Sequence, residues 1–167
     1  MENLVRNAGF ETDLDDDGIP DGWEPFDLRS DRRTVEYSRD QEVARTGAHS
    51  VKITRGSIYG DVTGVGAWAQ RDVVVTGGGR TFTLSAYVRA SEPTQVTLYL
   101  YGSDPEWGDD FDGAASEVFQ VETEWQKVSH TNSFGPAVEG VHVVLARTPQ
   151  TFGGDVWFDD VELIEEA

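Results

Sequence analysis

Between residues 13 and 24 the chain reads Asp13-Leu14-Asp15-Asp16-Asp17-Gly18-Ile19-Pro20-Asp21-Gly22-Trp23-Glu24. Carboxylates at loop positions 1, 3 and 5, glycine at 6 and glutamate at 12 are the spacing of a calcium-binding loop. Calcium takes about six to eight oxygen ligands, and carboxylates so placed converge when the chain curls. Gly18 permits the sharp turn and the Ile19 carbonyl serves at position 7. Asp21 serves at position 9, directly or through water, and Glu24 closes the site with both oxygens. The plainer alternative is an acidic surface loop in an acidic protein, but the joint match of so many fixed positions favours calcium. Pro20 stands where such loops usually carry an apolar residue, and no helical periodicity flanks the segment. The loop therefore reads as a static clamp rather than a calcium switch.

The elements that must position this loop are strands. No segment shows a convincing amphipathic helix, and apolar residues alternate at period two in short runs. The clearest runs are 80–89, 95–101, 140–147 and 155–164. Weaker ones lie at 35–38, 49–54, 67–75, 116–120 and 125–131. Turn clusters such as Thr76-Gly-Gly-Gly79 and Phe152-Gly-Gly-Asp155 separate them. Many short strands punctuated in this way predict an all-β fold, a β-sandwich jelly roll of two antiparallel sheets. No internal repeat or long linker divides residues 1–167, which read as one domain. Alternation assigns faces: Phe82, Leu84, Ala86 and Val88 oppose Tyr87 and Arg89, while Val96, Leu98 and Leu100 oppose Tyr99 and Tyr101. The aliphatic sets belong in the core. Tyrosines on an outer face, where small and charged residues are expected, raise a functional question.

Composition narrows the classes of function. The 167 residues carry 31 acidic against 13 basic groups, a net charge of −18. Polyanions are repelled by such a surface, so nucleic acid and anionic membranes are poor partners. Eleven of the basic residues are arginine; only Lys52 and Lys127 are lysine. A solvated acidic surface and adaptation to high salt both fit this balance, the first being the simpler. With no cysteine there is no disulfide or thiolate metal site. No apolar run is long enough to span a membrane. Met1-Glu2-Asn3-Leu4-Val5 lacks the basic and apolar regions of a signal peptide, so the chain reads as a piece of something longer.

Several motifs together resemble the jelly-roll carbohydrate-binding modules of families four, nine, sixteen and twenty-two. Asn3-Leu-Val-Arg-Asn-Ala-Gly-Phe-Glu11 with Asp21-Gly-Trp23 is similar to their opening. Thr46-Gly-Ala-His-Ser-Val-Lys-Ile53 is similar to their second landmark, and Phe82 to Ala90 to their central strand. Thr123-Glu-Trp125-Gln-Lys-Val128 and Val156-Trp-Phe-Asp-Asp-Val161 resemble their closing strands. The resemblance implies a structural calcium held by Glu11, Asp159 and backbone oxygens of Gly47 to Ser50, with Asp160 an alternative ligand. The loop at Asp13 to Glu24 is then a second calcium site or shares one cluster with Glu11. The resemblance also implies sugar binding on a concave sheet face or at the loop edge. Aromatic rings stack on the C–H faces of sugars, and polar side chains bond the hydroxyls. Trp68 lies where relatives place a stacking tryptophan. Tyr87, Tyr99 and Tyr101 come from the outer faces, and Trp107 lies in a long polar loop. Gln70, Arg71, Arg89 and Arg147 are the candidate polar partners, with surface salt bridges as the alternative.

Enzymatic signals are weak. His49, His130 and His142 lie in separate strands without metal-ligand spacing, and there is no nucleophile elbow, P-loop or dinucleotide fingerprint. The expected protein is a calcium-stabilised, monomeric, non-catalytic module that is secreted or on the cell surface. It binds a polysaccharide of xylan or β-glucan type beside an appended catalytic domain. A structural or adhesion module of a surface protein, or a small calcium-dependent polysaccharide-degrading enzyme, is the alternative.

Overall fold

A computed structural model describes residues 2–27, 35–55, 66–106, 108–110, 115–148 and 154–167. Among the described residues eleven strands form: β1 Glu24–Asp27, β2 Val35–Asp40, β3 Ser50–Arg55, β4 Gly66–Val74, β5 Thr81–Ala90, β6 Thr94–Asp104, β7 Gly108–Asp110, β8 Ser116–Val121, β9 Gln126–Ser133, β10 Gly140–Arg147 and β11 Asp155–Glu165. Among the described residues none is helical. The first sheet runs β1-β4-β10-β6-β7, with β8 also paired to β6; the second runs β2-β3-β11-β5-β9. Every pairing is antiparallel. This is the jelly-roll sandwich that the alternation predicts, with two additions. β1 and β7 are too short to show a period in the sequence.

Alternation builds the core. Leu84, Ala86 and Val88 of β5 face Val96, Leu98 and Leu100 of β6 and Val141, Val143 and Leu145 of β10, all fully buried. Phe10 packs at 5.0 Å against Trp23, a core residue at the end of the acidic loop. Residues 3–8 run beside β11. Leu4 N–H bonds the Leu163 carbonyl and Val161 N–H bonds the Ala8 carbonyl. Asn3 donates to the Val161 carbonyl and accepts from Leu163 N–H.

Each sheet carries one bulge, and both matter for the sites. In the first, the register between β4 and β10 slips between Val141 and Val143, with Asp72 at φ 52°. In the second, β11 slips against β5 between Asp159 and Glu162, with Asp160 at φ 47°. An aspartate tolerates this left-handed region better than most residues, and a bulge re-aims the side chains around it.

Candidate functional site

The face of the first sheet opposite the core carries Thr97, Tyr99 and Tyr101 on β6, His142, Val144 and Ala146 on β10, and Ala67 and Ala69 on β4. Ala67, Ala69, Tyr101, Val144 and Ala146 with Ala115 make a second apolar cluster, separate from the core, with Tyr99 at its margin. A sheet face that meets only solvent is mostly polar. Here the two central strands offer alanine and valine, and β6 adds the tyrosines. Tyr101 is fully buried, its ring 4.9 Å from that of His142. Burial pushes its hydroxyl up to about 12, and burial raises the half-buried Tyr99 as well. At the margin, Val118 on β8 is 53% exposed, and Arg71 and Glu24 are exposed at the other side of the face.

The β4 bulge organises the polar end of this face. Asp72 N–H leaves the ladder and donates to His142 Nδ1 at 2.8 Å. Because Nδ1 accepts, the proton sits on Nε2, which donates to Ser103 Oγ at 3.0 Å. Burial, and then the Arg71 charge, hold the imidazole below its ordinary range. Arg71 reaches Asp109 at 3.3 Å. Gly140 is required here, since a Cβ would fall 2.6 Å from Ser103 Oγ and 2.7 Å from Asp72 Oδ1. A cleft of about 270 Å³ opens beside this cluster, lined by Asp72, Ser103, Asp104 and Pro105 among others. Ser103, His142 and Asp72 are the residue types of a hydrolytic triad, but in the wrong tautomer. A triad needs a free Nε2 facing the hydroxyl and an Nδ1–H held by the carboxylate. Sequence reasoning did not find this cluster. Its signal is the polar triplet Gln70-Arg71-Asp72, which breaks the alternation of β4.

Of the described residues expected to meet a sugar, Tyr99, Tyr101 and Arg71 come together on this face, and of these Tyr101 is fully buried. Trp68 belongs to the core: it is fully buried, its Nε1 donates to the Lys52 carbonyl, and Tyr37 meets its ring edge-on at 5.6 Å. Gln70 also points inward, where it accepts Arg6 N–H and donates to the Arg6 carbonyl, both at 3.0 Å. Arg147 lies on the core side of β10, buried, and donates to the Gly154 carbonyl at 2.7 Å. Tyr87 and Arg89 belong to the outer face of the other sheet. The Arg45 guanidinium covers Tyr87 at 3.4 Å, and Arg89 lies 6.0 Å from Trp125 and 5.8 Å from Trp157. Trp107 lies outside the described residues.

The two acidic sites differ in kind. Asp13, Asp15 and Asp21 bring oxygens within 4.8 Å of one another. The loop curls because Asp13 accepts the Asp17 and Gly18 amides and Asp21 accepts that of Leu14. A hydrogen bond that Asp15 donates to Asp13, then burial and the nearby Asp17 charge, push the Asp15 carboxyl up. Crowded carboxylates of this kind fit a hard cation. Asp17 turns its carboxylate to the Ile19 amide. Glu24 corrects the twelve-position reading: it sits in β1 opposite Ala69, on the outer face, so the strand takes it away from the loop.

The second site joins the chain's beginning to its end. Glu11 accepts the Ala48 and His49 amides and meets His49 Nδ1 at 2.6 Å. Gly47, at φ 64°, leaves room that a Cβ would fill 2.1 Å from Glu11 Oε1. Asp159 is fully buried and accepts the Arg45, Thr46 and Asp160 amides. Burial raises its carboxyl to about 6 despite those bonds. A buried carboxylate with no cationic side chain on it is the donor a hard cation would satisfy. Glu11, Asp159 and the carbonyls of residues 47–50 fit calcium in donor type. Ser50 spends its hydroxyl on the Val43 carbonyl. Asp160 is bound by Arg45 at 3.0 Å and Thr46 at 2.6 Å.

Solved structures share this architecture. The xylan-binding domain CBM22-1 of Paenibacillus barcinonensis Xyn10C superposes with a TM-score of 0.68 at 18% identity, over 98% of this chain and 94% of that one. The CBM22-1–GH10 portion of Clostridium thermocellum endo-1,4-beta-D-xylanase 10B, complexed with xylohexaose, gives 0.69 at 14% identity; this chain covers 29% of it and 99% of itself is matched. A Stig cyclase, Fisc from Fischerella sp. TAU, gives 0.71 at 16% identity over 99% and 98%. At these identities the likeness is one of fold. No curated protein sequence matches the chain. The family model of the carbohydrate binding domain of types 4 and 9 matches residues 2–150, and the chain therefore belongs to that family.

Proposed function

We propose that this protein is a non-catalytic module that binds a polysaccharide of xylan or β-glucan type on the outer face of its first sheet. The observation that carries the reading is the accessible rim of that face, where the half-buried Tyr99, the exposed Val118 and the exposed Arg71 and Glu24 surround the fully buried patch of Ala67, Ala69, Tyr101, Val144 and Ala146. Tyr99 and Val118 supply surface for sugar C–H groups at its margin, and Arg71 and Glu24 supply a donor and an acceptor for hydroxyls. Secretion or display on a cell surface, and an appended catalytic domain that gains avidity from the tether, complete the proposal.

Affinity electrophoresis in gels containing xylan or mixed-linkage β-glucan tests it. The protein is retarded by at least one polymer, and Tyr99→Ala weakens the retardation about ten-fold or more. The reading fails if no polymer retards the protein, or if Tyr99→Ala migrates as the parent does.

A structural calcium belongs to the same proposal. Glu11 and Asp159 with the carbonyls of residues 47–50 would hold one ion, and Asp13, Asp15 and Asp21 a second. The ion supplies charge neutralisation at the buried carboxylate. Calorimetry of chelator-stripped protein shows calcium binding, and Asp159→Asn removes the tighter phase. Absence of any binding heat sinks this part.

A further inference from the structure

The outer face of the second sheet carries aromatic, hydroxyl and charged groups in an order that the first face does not explain. Register pairs Thr81 with Ser133, Thr83 with Thr131, Ser85 with Ser129 and Tyr87 with Lys127, all on the side away from the core. Thr81 and Ser133 share a hydrogen bond of 2.7 Å, as do Thr83 and Thr131. Beyond Tyr87, Arg89 lies near Trp125 and Trp157. The strip from residue 81 to residue 89 is about 26 Å long at the usual strand rise. Near its middle lies a cleft of about 230 Å³, lined by Asn3, Ser85, Tyr87, Lys127, Asp160 and Glu162 among others.

The partners of the lining residues say what the cleft can hold. Asp160 is taken by Arg45 and Thr46, and Asn3 by the backbone of β11. The Arg45 guanidinium covers one side of the Tyr87 ring, which fixes the ring without using its hydroxyl. Among the described residues, the Lys127 ammonium, the Glu162 carboxylate and the Tyr87 hydroxyl make no hydrogen bond. One free cationic donor, one free anionic acceptor and a fixed aromatic ring thus line a space the size of one small ring. A pyranose offers matching chemistry: one hydroxyl accepts from the ammonium, its neighbour donates to the carboxylate, and C–H groups pack on the tyrosine. The hydroxyl rows and the tryptophans extend the surface on both sides for adjoining units.

We propose that the Tyr87 cleft anchors a second saccharide-binding surface, on the sheet opposite the one assigned above, that takes a single ring of a neutral β-linked chain. The class of ligand rests on the proposed function; the location does not. Two sites on opposite faces of one module let it bridge two chains of a polymer, or raise avidity for one particle.

Amide chemical-shift mapping of the full chain, titrated with xylohexaose and separately with cellohexaose, reads each site by itself. Saturable shifts at Ser85, Tyr87, Lys127 and Glu162 are expected for at least one of the two sugars. Lys127→Ala and Glu162→Gln, both changes to groups that make no hydrogen bond among the described residues, each weaken that second set about five-fold, the worth of one hydrogen bond. They leave any shifts at Tyr99, Val144 and Ala146 unchanged. The inference is overturned if no saturable shift surrounds Tyr87, or if both variants titrate as the parent does. Shifts at Tyr99 without shifts at Tyr87 defeat this inference alone; shifts at Tyr87 without shifts at Tyr99 support it and defeat the first-face reading.

Discussion

The two bulges use one backbone device for different ends. In β4, Asp72 turns to positive φ and releases its amide to His142, so the slip orients a side chain on an outer face. In β11, Asp160 turns the same way, Val161 N–H leaves the ladder for Ala8, and Asp159 is driven into full burial on the loop at residues 45 and 46. The first bulge shapes a surface; the second ties distant parts of the chain together. The local slip is similar, and what it serves is set by the partner that takes the freed amide.

This contrast can be broken from the tying side most severely. Gly47→Ala places a methyl in the space of the Glu11 carboxylate at a φ that favours glycine. It costs roughly 3 kcal/mol, a fall in Tm of about 10 °C. An unchanged Tm in calorimetry means that Glu11 is not held there.

The shaping side is sharpened by pH. The folded His142 imidazole titrates below its ordinary range because it is buried and because the Arg71 charge lies near. Below about pH 6.5 the unfolded chain therefore binds a proton that the folded chain does not. Stability falls as pH drops through that value, at no more than about 1.4 kcal/mol per pH unit, and levels off once the folded imidazole protonates. His142→Gln flattens this limb in denaturant titrations across pH 5 to 8, as about one proton's worth of slope. Parallel curves for the two proteins contradict the assignment.

The smallest effects separate the bulges directly. Asp160→Gly relieves the backbone but loses the bonds to Arg45 and Thr46, and costs about 1 kcal/mol net. Asp72→Gly gives up only a 3.8 Å approach to His142 and stays within about 0.5 kcal/mol of the parent. Equal losses for both would erase the distinction.

Much of the fold was legible because period two survives in nine of the strands. Parity also told inner from outer side chains at Leu84, Tyr87, Leu98 and Tyr99. It could not say which sheet a strand joins, so Tyr87 and Tyr99 read as one surface although they lie on opposite sheets. Ala67-Trp68-Ala69 misled because alanine fits either face, and the family position outweighed the burial a lone tryptophan there implies. Gln70 looked like a surface donor, but it satisfies the backbone of Arg6, a partner 64 residues away. The bulges interrupt alternation, and only the one in β4 leaves a mark in the sequence, the polar triplet Gln70-Arg71-Asp72. The acidic loop was recognisable in part: Asp13, Asp15 and Asp21 converge, while Glu24 is governed by strand pairing that loop spacing does not encode.

The seam between residues 3–8 and β11 sets how the domain meets a pulling force. Leu4 lies beside Leu163 and Ala8 beside Val161, so the segments run antiparallel, with positions 3 and 163 nearest the two ends of the chain. A load drawn across those ends peels this seam bond by bond instead of shearing it all at once. The first elements to part are Asn3 and Leu163, and the Glu11 and Asp159 clamp on the loop at residues 45–49 is the next barrier. The seam thus yields under tension before the two sheets of the sandwich part.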